Sequence, residues 1–270
     1  MKDVRSWSRS LLLAPAALLV LTVVLAPATT DADEAPAEAS DWAEGPVEIG
    51  RIHRPNVFEI RRGGATVSLH LVGIDSATRT DRDLFRTSLA RVRQWLESDG
   101  IVLMDPKPSP RKGISGRLRL ANGSDLSRML ILEGLALFDP TGLDADAADL
   151  LREAQAFASR QERGLWGFAR QDAAGAALYY DRIATLCGEA TTAVQDTDGS
   201  WLVAVGERYP RRELGIRIPA HLASAFPEPE RSYPHREVCI TGRVRETSLG
   251  PEIVVASPIQ ITDRGHGGSY

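Results

Sequence analysis

Beyond Val47 the apolar residues come in short runs closed off by Gly-Gly, Asn-Gly or proline, and only three stretches keep helical spacing. A chain punctuated this way builds small curved sheets with a few helices docked on them. Val47 to Phe58 and Ala65 to Ile74 read as strands joined by a turn at Arg61-Arg62-Gly63-Gly64. In Val67-Ser68-Leu69-His70-Leu71 the apolar residues alternate, which puts Ser68 and His70 on one face. Phe85, Leu89, Val92 and Leu96 recur at helical spacing, and Asp99-Gly100 ends that helix. Ile101 to Met104 is a short strand, Pro106, Pro108 and Pro110 make Asp105 to Gly113 a loop, and Arg117 to Leu120 is a second short strand. Ser124 or Asp125 caps a helix through Leu126, Met129, Leu130 and Leu132 that Gly134 stops. A third helix is expected from Ala145 to Arg163, with Leu150, Leu151, Ala154, Phe157 and Ala158 inward and Leu165-Trp166 folding back on it after Gly164.

From Leu178 the texture changes. Glu189 to Gln195, Ser200 to Val205, Leu214 to Ile218, Glu237 to Arg245 and Ile253 to Ile261 read as five strands, with a helical turn or two over Ala220 to Phe226. Five short strands with a helix after the third is the order of an OB barrel. A length of 270 residues suits about two domains, and 25% charged with 43% hydrophobic residues excludes a disordered, collagenous or polytopic membrane chain. The net charge of −4 gives no global basic field, and 2 Cys with 5 His are too few for a Cys-rich zinc module.

At the amino terminus Lys2, Arg5 and Arg9 precede a short, mostly apolar run, Leu11 to Ala26, followed by the small residues Ala26-Pro27-Ala28. This reads as a secretory leader over residues 1–28, with an uncleaved anchor as the alternative. Residues 29–45 are acidic, free of Lys and Arg, and read as a solvated tether whose one large apolar residue is Trp42. The expected order is then a first domain over 46–168, a linker at 169–177 around Ala173-Ala174-Gly175, a second domain over 178–264 and a tail over 265–270. Location is expected to be periplasmic or secreted, or membrane-anchored by the leader.

Three stretches of residues 46–168 together resemble the thermonuclease (staphylococcal nuclease-like) family. They are Leu71-Val72-Gly73-Ile74-Asp75-Ser76-Ala77, the helix Asp125 to Ala136, and Glu153 to Arg160 with Arg163-Gly164-Leu165-Trp166. The resemblance implies a five-stranded OB barrel with three helices, so the expected architecture is two tandem five-stranded OB-type barrels in an α+β/all-β chain. It also implies calcium-assisted cleavage of phosphodiesters: two carboxylates hold the cation, the cation and two Arg neutralise the developing charge, and a Glu orients water. Carried over position by position, the first metal carboxylate becomes Asn56, with Arg54 nearby. The strand Arg becomes His70, the second metal carboxylate is kept as Asp75, and the catalytic Glu falls on Thr78. The second Arg is best matched by Arg117. A threonine hydroxyl has no basicity near neutral pH, so the pattern implies a degenerate centre. Asp81 and Asp83 lie close by and are the candidates to substitute for that Glu, although they fall on a loop or helix start and Asp83 reads as a helix cap or first-turn charge. A folded pocket that set Asp75 beside Asp81 in a cleft shared with Arg117 would favour an active enzyme.

Residues 47–120 carry fourteen Lys or Arg against eight acids in a chain that is acidic overall. The loop cations Arg54, Arg79, Arg82, Arg111 and Lys112 with Arg117 form an expected rim for a polyanion, a solvated mixed face being the alternative. In the second domain, Ala204 to Pro210 and Val238 to Val244 resemble nucleic-acid-binding OB modules of the tRNA-anticodon type. Trp201, Arg208, Tyr209, Arg211, Arg212 and Arg217 are its candidate contacts, or else Trp201 is core and the arginines a solvated edge. Given export, Cys187 and Cys239 suggest one disulfide joining the start of the second domain's first strand to its fourth, with buried free thiols as the alternative.

The leading expectation is an exported, catalytically degenerate binding protein for nucleic acid or another polyanion. The rivals are an active calcium-dependent nuclease with rearranged ligands and an envelope scaffold gripping a protein partner through the second domain. No small-molecule cofactor is evident; calcium is expected only if the protein is active.

Overall fold

The computed structural model describes residues 42–97, 100–207 and 212–263. The expected leader, the tether up to residue 41, the helix end at Asp99, Arg208, Tyr209, Arg211 and the tail from residue 264 lie outside the described residues. Among the described residues no helix is long and apolar enough to cross a membrane.

The first lobe runs β1 (Gly45–Pro46), β2 (Glu48–Arg54), β3 (Val57–Arg62), β4 (Ala65–Leu71), β5 (Ile74–Ser76), α1 (Arg82–Trp95), β6 (Val102–Pro108), β7 (Ile114–Arg119), α2 (Leu126–Leu132), β8 (Ala136–Phe138) and α3 (Ala145–Arg160). Its curled sheet has the order β1-β6-β7-β4-β3-β2, parallel only between β4 and β7, and β5 pairs separately with β8. The β3–β4 turn is Gly63-Gly64 with φ +56 and +89, the two positive values a two-residue hairpin loop requires. Phe58, Ile60, Leu69, Leu103, Ile114 and Leu118 leave the sheet for a core closed by Leu126, Leu130 and Ile131 of α2. Each such side chain contributes roughly 1.5–3 kcal/mol by burial. Asp125 caps α2 by accepting from Arg128 N at 2.9 Å, and Asp144 caps α3 by accepting from Ala147 N at 2.7 Å. At the end of α2 the chain touches itself: a Cβ on Gly134 would lie 2.0 Å from the Arg163 carbonyl oxygen. Leu165 N donates to Gly134 O at 2.9 Å, which docks Leu165 fully buried beneath α2.

The second lobe runs β9 (Arg170–Asp172), β10 (Ile183–Gln195), β11 (Trp201–Val205), β12 (Leu214–Ile218), α4 (Pro229–Ser232), β13 (Arg236–Thr247), β14 (Gly250–Val254) and β15 (Ile261–Asp263), with a 3-10 stretch at Ala220–Ala225. Strands β10-β11-β12-β14-β13 close on themselves because β13 also pairs with β10, giving a five-strand barrel. β9 and β15 are added along its margins. Cys187 and Cys239 are direct cross-strand partners on β10 and β13 and form a disulfide.

Several expectations change. Pro55-Asn56 breaks the expected strand 47–58 into β2 and β3, as a proline without N–H and an Asn tolerant of turns would do. The first four residues of the expected loop at 105–113 belong to β6, whose register slips between Met104 and Lys107 around Pro106. Leu150 and Phe157 face outward, 52% and 38% exposed; α3 buries the Ala147-Leu151-Ala154-Ala158 line instead. The Ala173-Ala174-Gly175 stretch is a 3-10 turn with Ala173 and Ala176 fully buried in the second core. The last expected strand is split into β14 and β15. Trp42 is buried in the first core beneath the Arg62 guanidinium, so the chain joins the fold earlier than its acidic composition suggested. Only the second lobe closes; the first is a curled sheet whose margins are β1 and β2.

Candidate functional site

Strand β5 projects Asp75 toward the second lobe, and β13 projects Arg243 back at it. Arg243 Nε lies 3.1 Å from each Asp75 carboxylate oxygen, and NH2 lies 3.0 Å from Oδ1. The remaining N–H groups donate to Ser76 O at 2.7 Å, Asp81 Oδ2 at 3.3 Å and Asp181 O at 2.6 Å. All five guanidinium N–H groups are therefore used. Asp81 stands at the N-cap position of α1 but does not cap it. Its carboxylate accepts from Thr78 N at 2.9 Å and from Ile183 N at 2.7 Å, so it too joins the lobes. Burial opposes the charge of Arg243, but Asp75 and Asp81 outweigh it and hold the guanidinium above its ordinary range.

Asp75 and Asp81 thus share one neighbourhood, but with Arg243 between them and without Arg117. Arg117 on β7 donates to Asp105 Oδ2 from Nε at 3.1 Å and NH2 at 2.6 Å, with Asp125 Oδ2 3.6 Å from NH1. Its side chain is 18% exposed and is held by Asp105 on one side and Asp125 on the other. Burial pushes the Asp125 carboxyl up, against the pull of the Arg128 N–H and Arg117. The Arg117 hydrogen bond pulls the Asp105 carboxyl down. Asn56 sits half-buried in the β2–β3 turn, where its carbonyl accepts from Leu71 N at 2.9 Å. Both Asp75 carboxylate oxygens are engaged by the Arg243 guanidinium. Among the described residues no group of three or more His, Cys, Asp or Glu stands ready for a metal.

The expected cationic rim falls into two groups. His70 on β4 meets the charges of Arg54 and Arg111 and bonds to the backbone of Lys112. Burial first, then the two arginines, lower its imidazole pKa, with the Lys112 bond pulling the other way. Arg79 and Arg82 instead flank a groove at the lobe seam together with Arg182, Tyr179 and Phe168. In the second lobe Arg217, an expected contact residue, is tied into the sheet. It donates to Glu252 from Nε at 2.8 Å and to Ser200 Oγ from NH1 at 2.9 Å, so it braces β12 against β14. Glu252 also holds the fully buried Arg212 side chain, and Trp201 packs half-buried on the second core.

Sequence reasoning missed Arg243, Arg182 and Tyr179. The signal for Arg243 was a cation inside the otherwise small or apolar run Val238 to Val244, which the barrel had no reason to contain. A curled sheet and a closed five-strand barrel are consistent with OB-like folds. No protein-family model and no curated protein match the chain.

Proposed function

We propose that this is a non-catalytic binding protein on a thermonuclease-like first lobe and an OB-type second lobe, exported by its leader, which holds nucleic acid or another polyanion through basic surface. The observation that carries the reading is the Asp75–Arg243 pair. The one carboxylate that the family pattern retains for metal is engaged by the chain's own cation. At the position that the resemblance gives to the water-orienting Glu stands Thr78, whose hydroxyl is no base near neutral pH. Binding is supported by Arg54, Arg111 and Lys112 gathered around His70, none of them in an ion pair among the described residues.

Incubation with single-stranded DNA and RNA, with calcium or with chelator, is expected to leave the strands intact. Chelator-sensitive fragments would overturn the non-catalytic reading. Affinity is expected to fall linearly on a log–log plot against salt, with a slope of about −0.7 per phosphate contact for single strands. A salt-independent affinity, or none, would remove the polyanion reading.

A further inference from the structure

We infer that the groove at the lobe seam is a site for single-stranded nucleic acid, with nucleobases stacked on Tyr179 and Phe168 and phosphates on Arg79, Arg82 and Arg182. The inference rests on the polyanion reading above and names the ligand class and a second place of contact. The groove encloses about 840 Å³ and draws its walls from both lobes. That is within the size range of ligand-holding clefts.

Charge is the first ground. Arg79, Arg82 and Arg182 are exposed and, among the described residues, make no ion pair. The two acids in the same wall are already engaged, Asp81 by Arg243 and Ile183 N, and Asp83 by Arg86 at 2.6 Å. The groove therefore presents guanidinium charge that its own carboxylates do not neutralise. Guanidinium forks suit phosphate oxygens, which they bind through paired N–H donors.

Aromatic surface is the second ground. Arg182 lies 5.5 Å from the Tyr179 ring centroid, so one cation is already stacked on one ring. Phe168 lines the same groove and is 38% exposed, although a ring of its size is ordinarily buried. Rings interleaved with cations are what a single strand uses, because its bases are free to stack while its phosphates track the charge. A duplex keeps its bases stacked on each other and gains only the electrostatic part.

The test is fluorescence anisotropy with a labelled twelve-nucleotide RNA of mixed sequence and an abasic strand of equal length and charge. The same RNA as a duplex and poly-glutamate serve as competitors. The base-bearing strand is expected to bind at least about tenfold more tightly than the abasic one. Phe168→Ala and Tyr179→Ala are expected to shrink that ratio, while Tyr179→Phe preserves it. Arg79→Glu with Arg82→Glu is expected to weaken both strands. Because Tyr179 also touches the second core, the exposed Phe168 supplies the variant that leaves folding intact. Equal affinity for the two strands, or an unchanged ratio in Phe168→Ala, overturns the stacking site and leaves general polyanion binding standing. Equal competition by poly-glutamate overturns it in favour of an acidic protein ligand. Binding of neither strand removes the inference together with the reading beneath it.

Discussion

Arg243 and Asp75 lie 168 positions apart in sequence and face each other through three N–H···O contacts of 3.0–3.1 Å. The pair pins β13 of the closed barrel to β5 of the curled sheet, with Asp81 as a second anchor whose side chain is only 4% exposed. Desolvation makes such a cluster a poor source of net stability, but removing one member strands the rest. Arg243→Ala is therefore expected to lower unfolding free energy by about 3 kcal/mol, since Asp75 keeps partial access to water that softens the loss. Urea unfolding followed by circular dichroism checks this, and a change below about 1 kcal/mol would mean the cluster behaves as surface charge.

Much of the fold was legible because it rests on local rules. Gly63-Gly64, the Asp125 cap and the Gly134 stop each act within a few residues, and each does so in the folded chain, whereas α3 ends at Arg160, short of the expected stop at Gly164, which opens a 3-10 turn instead. What was illegible is long-range. Pairing of β13 with both β10 and β15 depends on barrel curvature, and the partner of Asp75 lies in another lobe. Arg117 and Arg217 looked like binding residues because a sequence displays a cation without its counter-ion. Asp105 is 12 positions from Arg117 and Glu252 is 35 from Arg217, and only the sheet registers bring them together. Phe157 and Leu150 were misplaced because several faces of α3 carry apolar residues, and small alanines took the inward line.

The bracing of β12 against β14 by Arg217 has a measurable consequence. Arg217→Ala removes a partly exposed brace, so a loss of about 1 kcal/mol in stability is expected, with nucleic-acid affinity unchanged within about twofold. Glu252→Gln should be worse, about 3 kcal/mol, because it leaves the buried Arg212 charge under-compensated. Melting curves and anisotropy on the same preparations separate the two effects. An affinity loss in Arg217→Ala without a stability loss would return Arg217 to the binding surface.

The Cys187–Cys239 link closes a loop of 52 residues between strands that already pair over eight positions. Its stabilisation comes through the unfolded chain, where a closure of that length is worth about 4 kcal/mol in the chain-entropy estimate. Reduction, or Cys187→Ser with Cys239→Ser, is expected to lower the urea midpoint by that equivalent while the β-sheet circular dichroism of the folded form is retained. A much smaller change would point to residual pairing of β10 and β13 in the unfolded ensemble.

His70 offers a pH test of where the polyanion sits. Its imidazole titrates below the ordinary 6.5 because burial, Arg111 and Arg54 all disfavour the cation. For folding the sign follows directly: the neutral ring is the favoured native form, so this group's contribution is full above pH 6.5 and is lost as pH falls toward the folded value. For binding the sign reverses, because a phosphate beside the ring favours the imidazolium and complex formation takes up a proton. Affinity should therefore rise as pH falls from neutrality and level off below the free ring's pKa. NMR titration of the His70 ring should find that pKa displaced upward in the complex, and His70→Asn should flatten this part of the affinity profile. An imidazole whose titration ignores the bound polyanion would put the ligand elsewhere than the Arg54–Arg111–Lys112 face.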